Sequence, residues 1–163
     1  MAGVLSGPGL RFLYRTEAGV IDRRTWWLGV IPLAAILLLA TLGWLALRPF
    51  AGRGLDERAF LDPLTLAASL YLIAYAFVVL LIAVCFVMLS MKRLRDRGRI
   101  PLLASLVPLA ALASGAAHWM RGLSELSMPL WLMWAADIAL VAALVWAIVE
   151  MGVLRGRAEA TPQ

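Results

Sequence analysis

Four apolar runs, each about as long as a membrane is thick, constrain this chain more than any other feature. They cover residues 25–47, 64–90, 102–119 and 129–153. A helix needs about 20 predominantly apolar residues to cross the hydrocarbon core of a bilayer. Only 15% of the residues are charged, whereas soluble proteins have about a quarter. The sequence therefore predicts an all-α fold, an integral membrane four-helix bundle formed by residues 25–154.

The most basic part of the chain lies between the second and third runs. Residues 91–99 contain five cations and one acid. The interfacial segment 1–24, the loop 91–101 and the polar tail 155–163 together hold eleven lysines and arginines, whereas the other two loops hold four. Because lysine and arginine collect in cytoplasmic loops, we expect both termini and the basic loop to be cytoplasmic.

The residues after the second run predict where its helix ends. Cations in the last turn, a glycine at Gly98 that can adopt the left-handed conformation, and Pro101 just beyond it are typical of a helix C-terminus. We expect this helix to continue past the apolar run and to end near Arg97.

Three short stretches resemble motifs of one family of bacterial membrane proteins. Residues 93–98 (RLRDRG) are similar to an Arg-Leu-His-Asp-x-Gly signature that follows the second span. Residues 19–27 are similar to a Gly-Arg-Ile-Ser-Arg-x-x-Phe/Tyr-Trp entry into the first span, and residues 150–156 to a Leu-x-Gly-Thr exit from the last span. Over residues 10–157 the chain thus resembles the domain-of-unknown-function 805 (DUF805) family. The resemblance implies a multi-pass protein of the bacterial inner membrane and implies no reaction.

The chain departs from the pattern of that family at three places. Arg95 stands where the family has histidine, residues 100–102 replace a Ser-Gly-Trp, and the tail lacks a Gly-x-Asn-x-x-Gly ending. Any role that requires an imidazole in the loop therefore does not transfer to this chain.

The basic loop has two interpretations. Its cations can hold the loop inside during membrane insertion and then contact anionic headgroups, to which each contributes about 1 kcal/mol. An acid among cations is favourable where it organises them, for example if Asp96 holds Arg93 one turn back. Such a cluster would be a specific site for a phosphate-bearing lipid or a partner protein. The predicted binding residues are Arg23, Arg24, Lys92, Arg93, Arg95, Asp96, Arg97 and Arg99.

An acid inside the fourth apolar run is the second candidate site. Asp137 lies about eight residues into the run, where an ionised carboxylate is costly. Tyr71, Tyr75 and Thr41 are expected at comparable depths in the first two spans. Asp137 is interpreted either as a hydrogen-bonded clamp between helices or as a protonation site in a transport or sensing path. Small residues at every fourth position of the run favour close helix packing and a homo-oligomer. They are Ala135, Ala139, Ala143 and Ala147.

Other function classes have little support in the sequence. The cations lie beside apolar spans, where anionic lipid is a nearer partner than nucleic acid. No zinc-protease helix, nucleophile elbow, phosphate-binding loop or dinucleotide fingerprint occurs. We interpret His118 as an interfacial residue, Cys85 as a small buried hydrophobe, and Glu150 as the partner of Arg155 or of a loop arginine. We therefore expect no enzyme activity, no cofactor and no metal site.

These observations favour an interaction or scaffold component of the inner membrane. Its expected partners are anionic lipids of the inner leaflet, or a partner membrane protein, bound through the basic loop. The alternative is a small transporter or channel subunit that uses Asp137.

Overall fold

The computed structural model describes Gly9 and residues 13–14, 19–51, 63–123 and 129–156. These residues form four long helices and no strand. The helices are α1 (Arg23–Ala51), α2 (Pro63–Asp96), α3 (Leu106–Leu123) and α4 (Leu130–Ala147). A 3₁₀ turn, Pro101–Ser105, leads into α3, and a π-helical turn, Ile148–Val153, continues α4.

All four helical segments are long and apolar enough to cross a membrane. The third segment is Pro101–Met120 and the fourth is Leu130–Val153, so each includes its 3₁₀ or π-helical turn. This confirms the predicted all-α fold with four spans and identifies a multi-pass membrane protein. The helix α2 has 34 residues because it continues beyond the apolar run through charged residues, as the sequence predicted.

The distribution of buried side chains differs from that in a water-soluble protein. Large apolar side chains are exposed along the helices, for example Leu39 at 69% and Phe77 at 70%. Lys92 and Arg93 are both 0% exposed. Lipid tails are as apolar as leucine, so burying such side chains inside the protein brings no hydrophobic gain in a bilayer. The protein interior is left to residues that need polar or closely packed partners.

Residues 30–85 form one compact unit, in which polar groups link α1 to α2. The Tyr71 hydroxyl donates a hydrogen bond to the carbonyl oxygen of Ala40 at 2.8 Å. The hydroxyl oxygens of Thr41 and Tyr75 are 3.2 Å apart, and the Tyr75 ring stacks on Trp44 with 6.5 Å between centroids. Three of the four intramembrane polar residues predicted from the sequence therefore hold this helix pair together.

The other compact unit contains residues 1–29 and 86–163. Its described part includes the first turns of α1, the end of α2, and the helices α3 and α4, which pack against each other. Two small residues of α3 are buried: Ser114 is 7% exposed and Ala117 is 5% exposed. Short side chains such as these allow two helix backbones to approach closely in a membrane.

Gly98 ends α2 in the way that the sequence predicted. Its φ angle is 68°, in the left-handed region. The Gly98 amide donates to the carbonyl of Arg95 at 2.9 Å, and the Arg99 amide donates to the carbonyl of Leu94 at 2.8 Å. This pair of hydrogen bonds is the Schellman arrangement, which satisfies carbonyls that the helix itself leaves without donors.

Replacing Gly98 with alanine should destabilise the protein. A side chain in the left-handed region costs roughly 1–2 kcal/mol, so the free energy of unfolding of Gly98→Ala in detergent micelles should fall by about that amount. Gly115→Ala is the matched control, because a Cβ there meets no atom within 4 Å and alanine favours a helix interior by roughly 0.5–1 kcal/mol over glycine. Equal stability of the two variants would contradict the role of Gly98.

Candidate functional site

Arg93, near the end of α2, is fully buried. It is the centre of a hydrogen-bonded cluster that also includes the segment before α1 and the segment after α4. The Arg93 Nε donates to the carbonyl of Met151 at 3.1 Å, and Nη2 donates to that of Leu154 at 2.8 Å. Nη1 donates to the carbonyl of Ile21 at 3.5 Å and to the Asp96 carboxylate. The planar guanidinium presents five N–H donors in fixed directions, so one side chain joins three segments of the chain.

The end of α4 supplies most of the acceptors in this cluster. The last carbonyls of a helix have no partner within the helix, and here five consecutive ones, of residues 151–155, accept side-chain N–H groups. Two bond to Arg93. The carbonyls of residues 152 and 153 accept from Trp27 Nε1 at 3.0 Å and Arg23 Nη1 at 3.2 Å. The carbonyl of residue 155 accepts from Arg97. Cations are also favourable at a helix C-terminus because of the helix dipole.

Two glycines allow the close approach of these groups. A Cβ on Gly156 would overlap the Asp96 carboxylate and lie 2.5 Å from Arg93 Nη1. A Cβ on Gly152 would lie 2.7 Å from Cζ2 of Trp27. Packing therefore requires glycine at positions 152 and 156, whereas the backbone conformation there does not.

Two further charged side chains extend the cluster on either side. Lys92 Nζ donates to the carbonyl of Leu13 at 2.9 Å, which ties the N-terminal segment to α2. Glu150 is 7% exposed, and its Oε1 accepts from Arg97 Nη2 at 3.3 Å and from Arg99 Nε at 3.0 Å. The expectation that Glu150 pairs with a loop arginine is thus confirmed.

Asp22 caps the start of α1, a role that the sequence reading missed. Its Oδ1 accepts the Thr25 amide at 3.1 Å, which is the N-cap arrangement that a Ser, Thr, Asp or Asn before a helix provides. Partial burial acts to raise the pKa of Asp22. The hydrogen bonds from Thr25 and the positive charge of Arg93 outweigh burial, so the pKa lies below its ordinary value.

The structure divides the eight residues predicted to bind a lipid or partner. Lys92, Arg93 and Asp96 are buried, and Arg95 and Arg97 are half-buried. The exposed members of the predicted set are Arg23, Arg24 and Arg99. Arg155 was not predicted and is also exposed. We call these four exposed arginines the basic face. The predicted set therefore contains both an internal cluster and an accessible surface.

Asp137, the fourth intramembrane polar residue, links α4 to α3. Its Oδ1 accepts a hydrogen bond from Ser114 Oγ at 2.6 Å, and both carboxylate oxygens lie 3.2 Å from His118 Nε2. His118 is therefore a partner of the acid and not only an interfacial residue. The spacing of Ser114 and His118, four residues apart on one helix face, was the sequence signal for this pairing. Tyr71, by contrast, bonds within the other unit.

The predicted alanine ridge of α4 is only partly accessible. Ala135 and Ala139 are exposed, whereas Ala147 is 3% exposed. Among the described residues, no group of three or more His, Cys, Asp or Glu side chains is placed to hold a metal ion.

The three stretches that resemble the DUF805 motifs meet in the arginine cluster. Ile21, Arg23 and Trp27 come from residues 19–27, Arg93 and Asp96 come from residues 93–98, and the acceptor carbonyls come from residues 150–156. Comparisons with protein-family models, with curated proteins and with solved structures find no match. The convergence of the three stretches is therefore known only from the contacts within this chain.

Replacing Arg93 with methionine should destabilise the protein strongly. The change removes the guanidinium that bonds to the buried Asp96 carboxylate, and breaking a buried ion pair in this way costs about 3–5 kcal/mol. The measurement is the free energy of unfolding in detergent micelles. Arg48→Met is the control, because Arg48 is an exposed arginine in the last turn of α1 and surface changes usually stay within about 0.5 kcal/mol. A loss for Arg93→Met no larger than for Arg48→Met would refute the central role of this side chain.

The lowered pKa of Asp22 makes the cap sensitive to acid. A carboxyl whose pKa is lower in the folded state adds stability above its ordinary pKa, about 3.9, and loses it as the pH falls through the lowered value. Asp22→Asn keeps a capping side chain without the charge. Its deficit in unfolding free energy relative to the wild type should shrink as the pH is lowered from about 7 to about 3. Asp22→Ala should cost about 1 kcal/mol at neutral pH. A pH-independent difference between wild type and Asp22→Asn would contradict the charged cap.

Proposed function

We propose that this protein belongs to the DUF805 family that it resembles and works in the bacterial inner membrane as an interaction component. Its basic face binds the anionic headgroups of inner-leaflet lipids. The observation that supports this most directly is the exposure of Arg23, Arg24, Arg99 and Arg155 around the internal arginine cluster. In this proposal the cluster organises the binding surface, and the protein catalyses no reaction.

Internal contacts hold two arginines of the basic face in defined positions. Arg23 bonds through Nη1 to the carbonyl of Val153, and Arg99 bonds through Nε to Glu150. Arg99 makes its contact through Nε alone, and a guanidinium has further N–H donors for a phosphate oxygen. Positioned donors lose less conformational entropy on binding than mobile side chains do.

The charge balance at this end of the helices also supports binding of an anion. Eight cationic side chains and three acidic ones occur among residues 21–24, 92–99 and 150–155. The acids Asp96 and Glu150 are buried and already paired, so the exposed charge is positive. Cations beside an anionic leaflet contribute about 1 kcal/mol each.

The same contacts support the proposed orientation of the protein in the membrane. Arg23 at the start of α1, Arg93 near the end of α2 and the carbonyls at the end of α4 bond to one another. The basic ends of three helices therefore lie together, and the positive-inside rule assigns such an end to the cytoplasm. Anionic lipids of the inner leaflet are then the headgroups nearest to the basic face.

Neutralising one arginine of the basic face should weaken the binding of anionic lipid. Arg24→Gln should lower the affinity for phosphatidylglycerol roughly fivefold, since about 1 kcal/mol corresponds to that factor. The measurement is titration of the purified protein in nonionic detergent, with bound lipid counted by native mass spectrometry. Arg48→Gln is the matched control, because Arg48 is exposed near the other end of the same helix and should bind as the wild type does.

Two results would overturn this proposal. One is an equal effect of Arg24→Gln and Arg48→Gln on phosphatidylglycerol binding. The other is an equal effect of Arg24→Gln on phosphatidylglycerol and on phosphatidylcholine, which would show that the anionic charge is not recognised. If lipid binding is unchanged while a co-purifying membrane protein is lost in Arg24→Gln alone, the basic face binds a protein partner instead of lipid.

A further inference from the structure

An open apolar groove runs along α4 and into the π-helical turn that continues it. Its volume is about 710 Å³. One acid is the only charged side chain among the residues that line it. The lining residues are Trp134, Asp137, Ile138, Val141, Ala142, Val145, Trp146 and Val149. The groove thus combines a long apolar wall with a single carboxylate near one end.

The Asp137 carboxylate is accessible from the groove. Its side chain is 37% exposed. Within the described part of the chain, Ser114 and His118 bond to Oδ1, and Oδ2 is bonded by His118 alone. Two carboxylate oxygens offer about four acceptor positions, so Oδ2 can accept another donor. A carboxylate within a membrane span ordinarily faces a partner group or water. Ser114 and His118 are two such partners, and the groove is where a further partner could reach the carboxylate.

A tryptophan lines the groove on the same helix face as this carboxylate. Trp134 precedes Asp137 by three residues, so the two lie on the same face of α4, and both line the groove. Trp134 is 65% exposed. The face of an indole attracts a cation, and recognition of alkylammonium groups by aromatic rings depends on this attraction. Carboxylate and indole each attract an ammonium ion.

The rest of the groove matches an alkyl chain. Ile138 follows Asp137 directly, and Val141, Val145 and Val149 follow Ile138 at intervals of three or four residues. The distance from Asp137 to Val149 along the helix axis is about 18 Å, at 1.5 Å per residue. These side chains are between 45% and 65% exposed. They offer a continuous apolar surface that carries no competing polar group.

We propose that this groove binds an amphiphile with one ammonium head and one alkyl chain. The head lies between Asp137 and Trp134, and the chain extends along the valines toward Val149. An ordinary neutral amphiphile gains nothing from the carboxylate, and an anionic lipid is repelled by it. A cationic amphiphile gains an ion pair where the surrounding lipid provides a low dielectric. This site is separate from the basic face, which would repel the same ligand.

Binding of dodecyltrimethylammonium to the purified full chain tests the proposal. Equilibrium dialysis at a fixed concentration of nonionic detergent gives the dissociation constant. Asp137→Asn should weaken binding at least about tenfold, which corresponds to 1.4 kcal/mol, whereas Asp137→Glu should keep most of the affinity. Dodecanol, which has the same chain without the charge, should bind wild type and Asp137→Asn equally. Circular dichroism confirms that each variant is folded.

A pair of tryptophan variants separates the aromatic contact from a general effect on α4. Trp134→Leu should weaken binding of the ammonium compound several-fold. Trp131→Leu should leave it unchanged, because Trp131 is 68% exposed on the same helix but does not line the groove. Equal affinity of wild type and folded Asp137→Asn would overturn the proposal. So would equal losses in the two tryptophan variants, or an equal loss of dodecanol binding in Asp137→Asn. Saturation at one ligand per two chains, with dimerisation on binding, would assign the groove to an interface between copies instead.

Discussion

The burial of the Arg93 charge is the constraint on which the polar end of this protein depends. A guanidinium taken out of water is stable only if carboxylate and carbonyl groups replace its hydration. Asp96 supplies the negative charge, and carbonyls of Ile21, Met151 and Leu154 supply the remaining acceptors. Because those acceptors come from the segment before α1 and from the end of α4, the charge can be buried only when these segments are assembled.

The same constraint explains why this end is closely packed while the helix surfaces are not. In a bilayer the apolar side chains of the spans have lipid as an equivalent environment, so many of them stay on the surface. Polar backbone groups have no such alternative in lipid, and the carbonyls of residues 151–155 bond to side chains of the protein. Side chains of Arg23, Trp27 and Arg97 complete this set. Specific packing is therefore concentrated where hydrogen bonds are required.

The helix α4 takes part in two chemically different sites. Its C-terminal end carries carbonyls and Glu150, which organise cations, whereas Asp137 lies about 20 Å earlier along the helix axis in an apolar groove. The basic face suits an anionic headgroup, and the groove suits a cationic head. Asp137 bonds to Ser114 and His118, neither of which belongs to the basic face. The two proposals therefore stand or fall separately.

The sequence by itself determined the features that depend on local rules. The lengths of the apolar runs predict four spans, Gly98 predicts the end of α2, and the spacing of Arg93 and Asp96 predicts their pairing. Only the tertiary structure decided that Lys92 and Arg93 are interior residues, since their acceptors at Leu13 and Met151 lie 79 and 58 positions away in the chain. It also decided that His118 bonds to Asp137. A hydropathy scale assigns the same polarity to a cation wherever it occurs in the sequence. Whether the cation is buried depends on which distant carbonyls the fold places next to it.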